Sequence, residues 1–310
     1  MKGGRYRDLA LFMIMSLTWG LNWPIMKLGL RYARPLRFTA DRLALAAPII
    51  MVYYLLSNRR VYNLKSSIGS LITYSLIVSI QFALSSIGLY YQSGGLSSII
   101  TYTQPMMVFI LAILFLNEKL LLSRLIGTLI GFLGVAILLG GGGSSILSYT
   151  SLLLLLLGAF LWATSTIYYK LKLKLLDPLI VNIIQVSTSS IVLYTVSLPV
   201  ESPPVSSIEY LAILIYSGPI AVGIGATIWL KLLGRIDASI LSSSSLIVPL
   251  IAVVSGYLIL GEEVGLRTIL GSALILIGVY LVNYDHRSRM ESRILRSIVG
   301  VVYRSVRIGS

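Results

Sequence analysis

The sequence predicts an all-α integral membrane protein of ten transmembrane helices, arranged as two inverted five-helix repeats. Three observations predict it. The composition is 56% hydrophobic and only 12% charged, where soluble domains carry about 25% charged residues. Ten mostly apolar runs reach the length of roughly 20 residues that a spanning helix needs. The chain also repeats itself. Ser98, Pro105, Glu118, Gly127 and Gly134 recur 144 positions later as Ser242, Pro249, Glu262, Gly271 and Gly278. Trp19, Lys27 and Pro35 recur 143 positions later as Trp162, Lys170 and Pro178. An internal repeat takes precedence over other readings of a chain. Here it divides the chain into residues 8–140 and 149–284.

The ten runs are roughly 9–29, 36–56, 67–90, 95–116, 122–140, 149–169, 178–198, 208–230, 239–260 and 266–284. Lipid cannot hydrogen-bond the backbone, so each run is a helix or part of a closed barrel. Their length, without strict alternation, favours helices. Five spans per half is an odd number, so the second copy enters the membrane from the opposite side. Inverted repeats of this kind typify secondary transporters, with the substrate site near the bilayer midplane where the repeats meet.

The net charge of +14 is not read as a nucleic-acid footprint, because of where the charge sits. With the N-terminus inside, 19 of the 25 Lys and Arg fall on that side and six on the other. The positive-inside rule then places both termini in the cytoplasm and the protein in the cell membrane. The first external loop, with Arg31, Arg34 and Arg37, runs against the bias. The basic start before the first run resembles a signal peptide. That reading fails on Trp19, Asn22, Trp23 and Pro24 inside the run and on the lack of a small-residue cleavage site.

In the first span, Pro24 removes a helix hydrogen bond and predicts a kink, while Trp19 and Asn22 share a face. The matching stretch of the sixth span runs from Trp162 through Ser165 and Tyr169 to Lys170. Lys27 and Lys170 flank opposite mouths of one pathway. They either snorkel to headgroups or contact substrate or a gate. In the second span, Asp41 is the one acid well inside a run and the obvious proton carrier. Its alternative is a structural ion pair with Arg37 or Arg42. The repeat places Gln185 opposite Arg42. The third and fourth spans carry Tyr90 and a polar, aromatic stripe of Ser97, Ser98, Thr101, Tyr102 and Gln104 ahead of Pro105. The eighth adds Trp229, and the ninth a run of serines ahead of Pro249. Glu118 and Glu262 sit at span junctions, where an acid bonds free N–H groups at the start of the next helix. Gly127, Gly131 and Gly134 form a small-residue packing stripe.

Residues 141–148, rich in Gly and Ser, form a flexible linker between the first repeat (9–140) and the second (149–284). Residues 1–8 form a cytoplasmic N-terminus. The segment 285–310 holds six arginines among apolar residues and predicts a basic amphipathic tail on the anionic inner leaflet. With no cysteine and His286 as the one histidine, no cofactor, metal centre or catalytic cluster is expected. The expected substrate-binding set is Trp19, Asn22, Tyr90, Tyr102, Gln104, Trp162, Ser165, Tyr169 and Trp229. Lys27, Lys170, Asp41 and Arg42 are the charge-handling candidates. The expected partners are a small molecule, the bilayer with anionic lipids, and protons, not nucleic acid. A lipid-handling protein such as a scramblase, or a non-transporting assembly protein, is the rival class, although neither needs an inverted duplication.

Taken together, the tryptophan and lysine of the first span, the arginine of the second, the proline of the fourth, the glutamate after it and the glycines of the fifth resemble the EamA-type branch of the drug/metabolite transporter superfamily. The resemblance covers about residues 8–284. It implies a ten-helix inverted-repeat fold that exports or exchanges small metabolites such as amino acids or drug-like amphiphiles. It also implies a central cavity from spans 1, 3, 4, 6, 8 and 9, with spans 5 and 10 behind. Gln185, standing where the first half has Arg42, departs from the duplicated pattern, and the basic tail is an addition to it.

Overall fold

The computed structural model describes residues 2–57, 64–118, 121–139, 149–261 and eleven further residues from 265 to 281. Among these the fold is entirely helical. The first half contains α1 (Lys2–Gly29), α2 (Pro35–Leu56), α3 (Leu64–Tyr91), α4 (Gly94–Thr101), α5 (Gln104–Leu116) and α6 (Leu122–Leu139). The second contains α7 (Tyr149–Tyr168) with a π-helical turn (Tyr169–Leu173), and α8 (Pro178–Ser197). After it come α9 (Ile208–Ile215), a π-helical segment (Tyr216–Ala226), α10 (Thr227–Leu233), α11 (Ala238–Ser244) and α12 (Ile247–Leu260). The described residues from Leu266 to Leu281 are helical. The linker, the tail and Glu262 lie outside the described residues.

Eight helical stretches among the described residues are long and apolar enough to cross a membrane. They coincide with the first to fourth and sixth to ninth expected spans. The fifth is the 18-residue α6. Large apolar side chains such as Leu56, Ile191 and Leu258 are 67–78% exposed, an outward apolar surface that only hydrocarbon solvates well. The chain is a multi-pass membrane protein.

The fourth and ninth spans each break in the middle. Proline has no N–H and clashes with the carbonyl four residues back, so Pro105 and Pro249 cannot continue the preceding turn. The chain answers identically in both places. Helix α4 stops at Thr101 and α5 restarts at Gln104; α11 stops at Ser244 and α12 restarts at Ile247. Three-residue bonds tighten the join, Met106 N–H to Thr103 O at 3.2 Å and Val248 N–H to Ser245 O at 2.9 Å.

Packing runs across the halves. Helix α2 packs on α8, α3 on α7, α1 on α12, and α5 on both α7 and α11. One buried cluster gathers Met15 of α1, Leu71 of α3, Ala112 of α5, Leu173, Leu233 and Leu241. A second gathers Met26 and Leu89 from the opposite ends of α1 and α3, with Ile99, Tyr210, Leu214 and Ala252. Trp19 and Trp162 pack against both.

Helix ends are tied by charged side chains. Lys27 donates to the carbonyls of Leu89 (3.0 Å) and Tyr90 (2.9 Å) in the last turn of α3. Lys170 donates to Ile236 O at 2.7 Å, just past α10. The equivalent lysines thus satisfy carbonyls at the ends of equivalent spans, groups that a helix leaves unpaired. Two carboxylates do the converse. Glu118 accepts from the N–H groups of Ala238 (2.7 Å) and Ser239 (3.3 Å) and from the Ser239 hydroxyl. It caps α11 in the other half, not α6, the next helix in the chain. Glu201 accepts from Leu36 N–H (3.2 Å) and Arg37 N–H (2.6 Å), capping α2 from the second half. Neither helix has a side-chain cap of its own, at Asp237 or Arg34.

At the rear, Gly278 lies directly on α6. A Cβ there would stand 2.5 Å from Gly127 O and 2.7 Å from Gly131 N. Both are backbone atoms that cannot step aside. Gly278→Leu is therefore expected to destabilise the fold by about 3 kcal/mol or more, read as a lower midpoint in graded heating followed by size exclusion. Removing a cap costs about 1–2 kcal/mol. Glu118→Ala and Glu201→Ala are each expected to lower the same midpoint by a smaller step, although neither touches the central cavity.

Candidate substrate cavity

Where the two buried clusters meet, the bundle encloses a cavity of about 140 Å³. Its walls are helical stripes. Helix α1 contributes Trp19, Asn22, Trp23 and Met26, and α7 contributes Trp162, Ser165 and Thr166. Helix α3 contributes Tyr74, Val78, Gln81, Phe82 and Ser85. Spacings of three and four put these residues on one face of each helix. Thr101 and Tyr102 enter at the break after α4, and Arg42 and Gln185 enter from α2 and α8. Ala221, Val222 and Ala226 of the π-helical segment close the wall with Trp229 and Leu230 of α10.

The lining is duplicated with the chain. Trp19 and Trp162, Asn22 and Ser165, Trp23 and Thr166, Arg42 and Gln185, and Val78 and Ala221 are five pairs related by the 143-residue offset, and all ten residues line this one cavity. The cavity therefore sits where equivalent surfaces of the halves face each other.

Aromatic rings dominate it. Trp19, Trp162 and Trp229 form a triangle with centroids 5.6, 5.5 and 5.8 Å apart, and Tyr102 meets Trp162 edge-on at 5.4 Å. These separations are in the range for favourable ring pairs. All four tryptophans of the chain line the cavity.

The π-helical segment explains how Trp19 is held. A π-helical turn is wider than an α-helical one, and such turns occur chiefly as local bulges at functional sites. Ala221 O accepts from Trp19 Nε1 at 3.0 Å. The next carbonyls, of Val222 and Gly223, accept from Asn182 Nδ2 of α8 at 3.0 and 3.1 Å. Trp19 is thus fixed by the other half of the chain.

The charges divide sharply. Arg42 is 4% exposed and, among the described residues, is the one charged residue lining the cavity. Its Nη1 donates to Met26 Sδ at 2.9 Å, and its guanidinium lies 5.3 Å from the Phe82 ring and 5.8 Å from Phe38. Its neighbour Asp41 points elsewhere. The Asp41 carboxylate accepts from Arg37 Nε at 3.1 Å, Tyr194 Oη at 2.5 Å and Tyr210 Oη at 2.7 Å, tying α2 to α8 and α9.

Of the residues expected from sequence, Trp19, Asn22, Arg42, Tyr102, Trp162, Ser165 and Trp229 come together on this wall. Tyr90 lies instead at the bundle end, bonded to Arg34 Nη1 at 2.8 Å. Gln104 is fully buried just after the helix break, its amide atoms without partners. Tyr169 lines a second cavity of about 870 Å³, together with Lys174, Asp177, Pro219 and Lys231. Lys27 and Lys170 hold helix ends, and Asp41 ties three helices. Trp23, Met26 and the α3 stripe were missed. A signal for Trp23 was present, since it follows Trp19 by four residues and so shares its face.

The profile of the EamA-like transporter family matches the chain twice, over residues 8–140 and 149–284. The "Uncharacterized transporter YoaV" of Bacillus subtilis (strain 168) is 26% identical over 280 residues, covering 89% of this chain and 96% of that one. The "Probable amino-acid metabolite efflux pump" of Salmonella typhimurium is 26% identical over 303 residues, covering 93% and 98%. A solved protein structure superposes with a TM-score of 0.74 at 14% identity, over 91% of this chain and 99% of that chain, which establishes a shared fold. With its family profile matched in both halves and its cavity built from equivalent residues of each, this chain belongs to the EamA-like transporter family.

Proposed function

We propose that this protein is a secondary transporter that exports or exchanges small, partly apolar metabolites, such as amino acids or amphiphilic drug-like compounds. It works by alternating access around the central aromatic cavity. The observation that carries the reading is the cavity's duplicated lining. A site built from equivalent faces of two halves changes its exposure from one side to the other when the halves rock. The aromatic rings stack on the apolar part of a solute, and Asn22, Gln81, Thr101 and Gln185 supply hydrogen bonds. The Salmonella typhimurium relative is named "Probable amino-acid metabolite efflux pump", which accords with this substrate range.

The reading includes ten spans in two inverted repeats, residues 9–140 and 149–284, joined by the linker 141–148. Cluster membership supports inversion. The N-terminal end of α1 and the C-terminal end of the sixth span share one cluster, as do the start of α3 and the end of α10. Equivalent spans that run in opposite directions would bring these ends together. Both termini lie in the cytoplasm, the protein sits in the cell membrane, and the segment 285–310 rests on anionic lipid. We assign Asp41, with three donors around it, to fastening helices, and not to carrying protons.

In proteoliposomes loaded with amino acids, aromatic metabolites and cationic drugs, one solute class is expected to move. Trp19→Ala and Trp162→Ala are each expected to reduce that flux at least about tenfold, a loss of roughly 1.4 kcal/mol. A sealed, correctly folded sample that moves none of the panel would shift the reading to lipid handling. If flux follows a pH gradient and Asp41→Asn abolishes the gradient dependence, the assignment of Asp41 to fastening is wrong.

The chain has no native cysteine, so single cysteines report sidedness directly. Arg31 and Lys172 are exposed at the two ends of the bundle. Arg31→Cys is expected to react with an impermeant maleimide from outside intact cells, and Lys172→Cys only after permeabilisation. Labelling of both from one side would remove the inversion.

A further inference from the structure

We infer that Arg42 is the anion subsite of this transporter, and that its solute carries a single carboxylate on a compact apolar body. The inference rests on the transport reading above and names the charge class of its substrate.

The argument starts from an unpaired charge. A buried cation in an apolar bundle is costly unless it is paired, and arginine does not shed its proton in proteins. Arg42 has no carboxylate partner among the described residues. The adjacent acid, Asp41, is already engaged by Arg37, Tyr194 and Tyr210. What Arg42 does have is a thioether, a weak acceptor, and the faces of two phenylalanines. Its Nε is buried with no acceptor. Guanidinium donors form a planar fork that matches a carboxylate in two parallel bonds. No acidic residue among the described residues lines the cavity, so we take the counter-charge to come with the solute.

The second half fixes the number of charges. Gln185, the residue equivalent to Arg42, lines the same cavity but is neutral, its Nε2 turned to Ser189 Oγ at 3.3 Å. The duplicated site therefore has one cationic side and one neutral side, which suits a monoanionic group and not a dianion. Asn22 Oδ1 on the same wall is buried without a donor. It offers an acceptor to an N–H or O–H of the same solute.

The test uses the purified full chain in detergent at low salt, with thermal unfolding midpoints read against four probes of one skeleton. Leucine and 4-methylpentanoate, which carry the carboxylate, are expected to raise the midpoint. They should bind at least about 30-fold more tightly than leucinamide and leucinol, which lack it. Arg42→Gln is expected to abolish that preference, and Arg42→Lys to restore it in part, since an ammonium keeps the charge but loses the fork. If Arg42→Gln does not fold, Gln185→Arg serves in its place, with an expected gain of binding by a dicarboxylate of the same skeleton. Amide and alcohol binding as tightly as the acids would overturn the inference while proteoliposome flux leaves the transport reading standing. An equal midpoint rise with sodium chloride would also overturn it, by making the site one for inorganic anions. No flux of any solute would remove the transport reading first.

Discussion

Hydrocarbon offers no hydrogen bonds, and the organisation of this protein follows from that. Wherever the backbone departs from an α-helix, something within the chain must bond the groups set free. Pro105 and Pro249 break two spans, and the breaks sit in the protein interior. The π-helical segment leaves carbonyls at Ala221, Val222 and Gly223, and Trp19 and Asn182 bond them. The end of α3 receives Lys27, and the chain just past α10 receives Lys170; the starts of α2 and α11 receive Glu201 and Glu118. Both carboxylate bonds cross between the halves. The same bonds that satisfy the backbone therefore also join the two copies, so helix capping and assembly of the halves are one problem with one solution.

Much of this was legible in sequence because membrane helices have few degrees of freedom. Span positions followed from hydropathy, and the repeat offset gave the equivalent residues. Where the expected wall and the observed wall differ, the difference is one of helical phase. Tyr169 lies seven residues after Trp162, which in an α-helix is the same face, but the π-helical turn that begins at Tyr169 changes the phase there. Thr101 and Gln104 share a face only if the helix continues, and the chain breaks between them. Tyr90 has a ring suited to such a wall, but Tyr74, Val78, Gln81, Phe82 and Ser85 mark a different face of α3. Asp41 and Arg42 are adjacent in sequence, yet successive residues of a helix point about 100° apart, so one faces the cavity and the other does not. Nothing local to the sequence announces a π-helical turn. It is stabilised by partners such as Asn182, some forty residues away in the chain.

The duplication is most informative where it fails. Of the five equivalent pairs that line the cavity, Trp19/Trp162, Asn22/Ser165 and Val78/Ala221 keep their general character and Trp23/Thr166 exchanges a ring for a hydroxyl. Arg42 and Gln185 differ in charge. The two residues hold equivalent positions in the repeat and line the same cavity, and Gln185 does so without a charge. That leaves the buried guanidinium of Arg42 to be explained by what the cavity holds.

Every indole in the chain stands on the wall of that cavity. In most proteins, ultraviolet emission averages tryptophans scattered over unrelated environments. Here it has one source. The emission maximum reports the polarity of one small space, and energy passes readily among Trp19, Trp162 and Trp229 at their close separations. The protein thus carries an unlabelled optical gauge of its own central cavity, sensitive to a solute or to water that enters it.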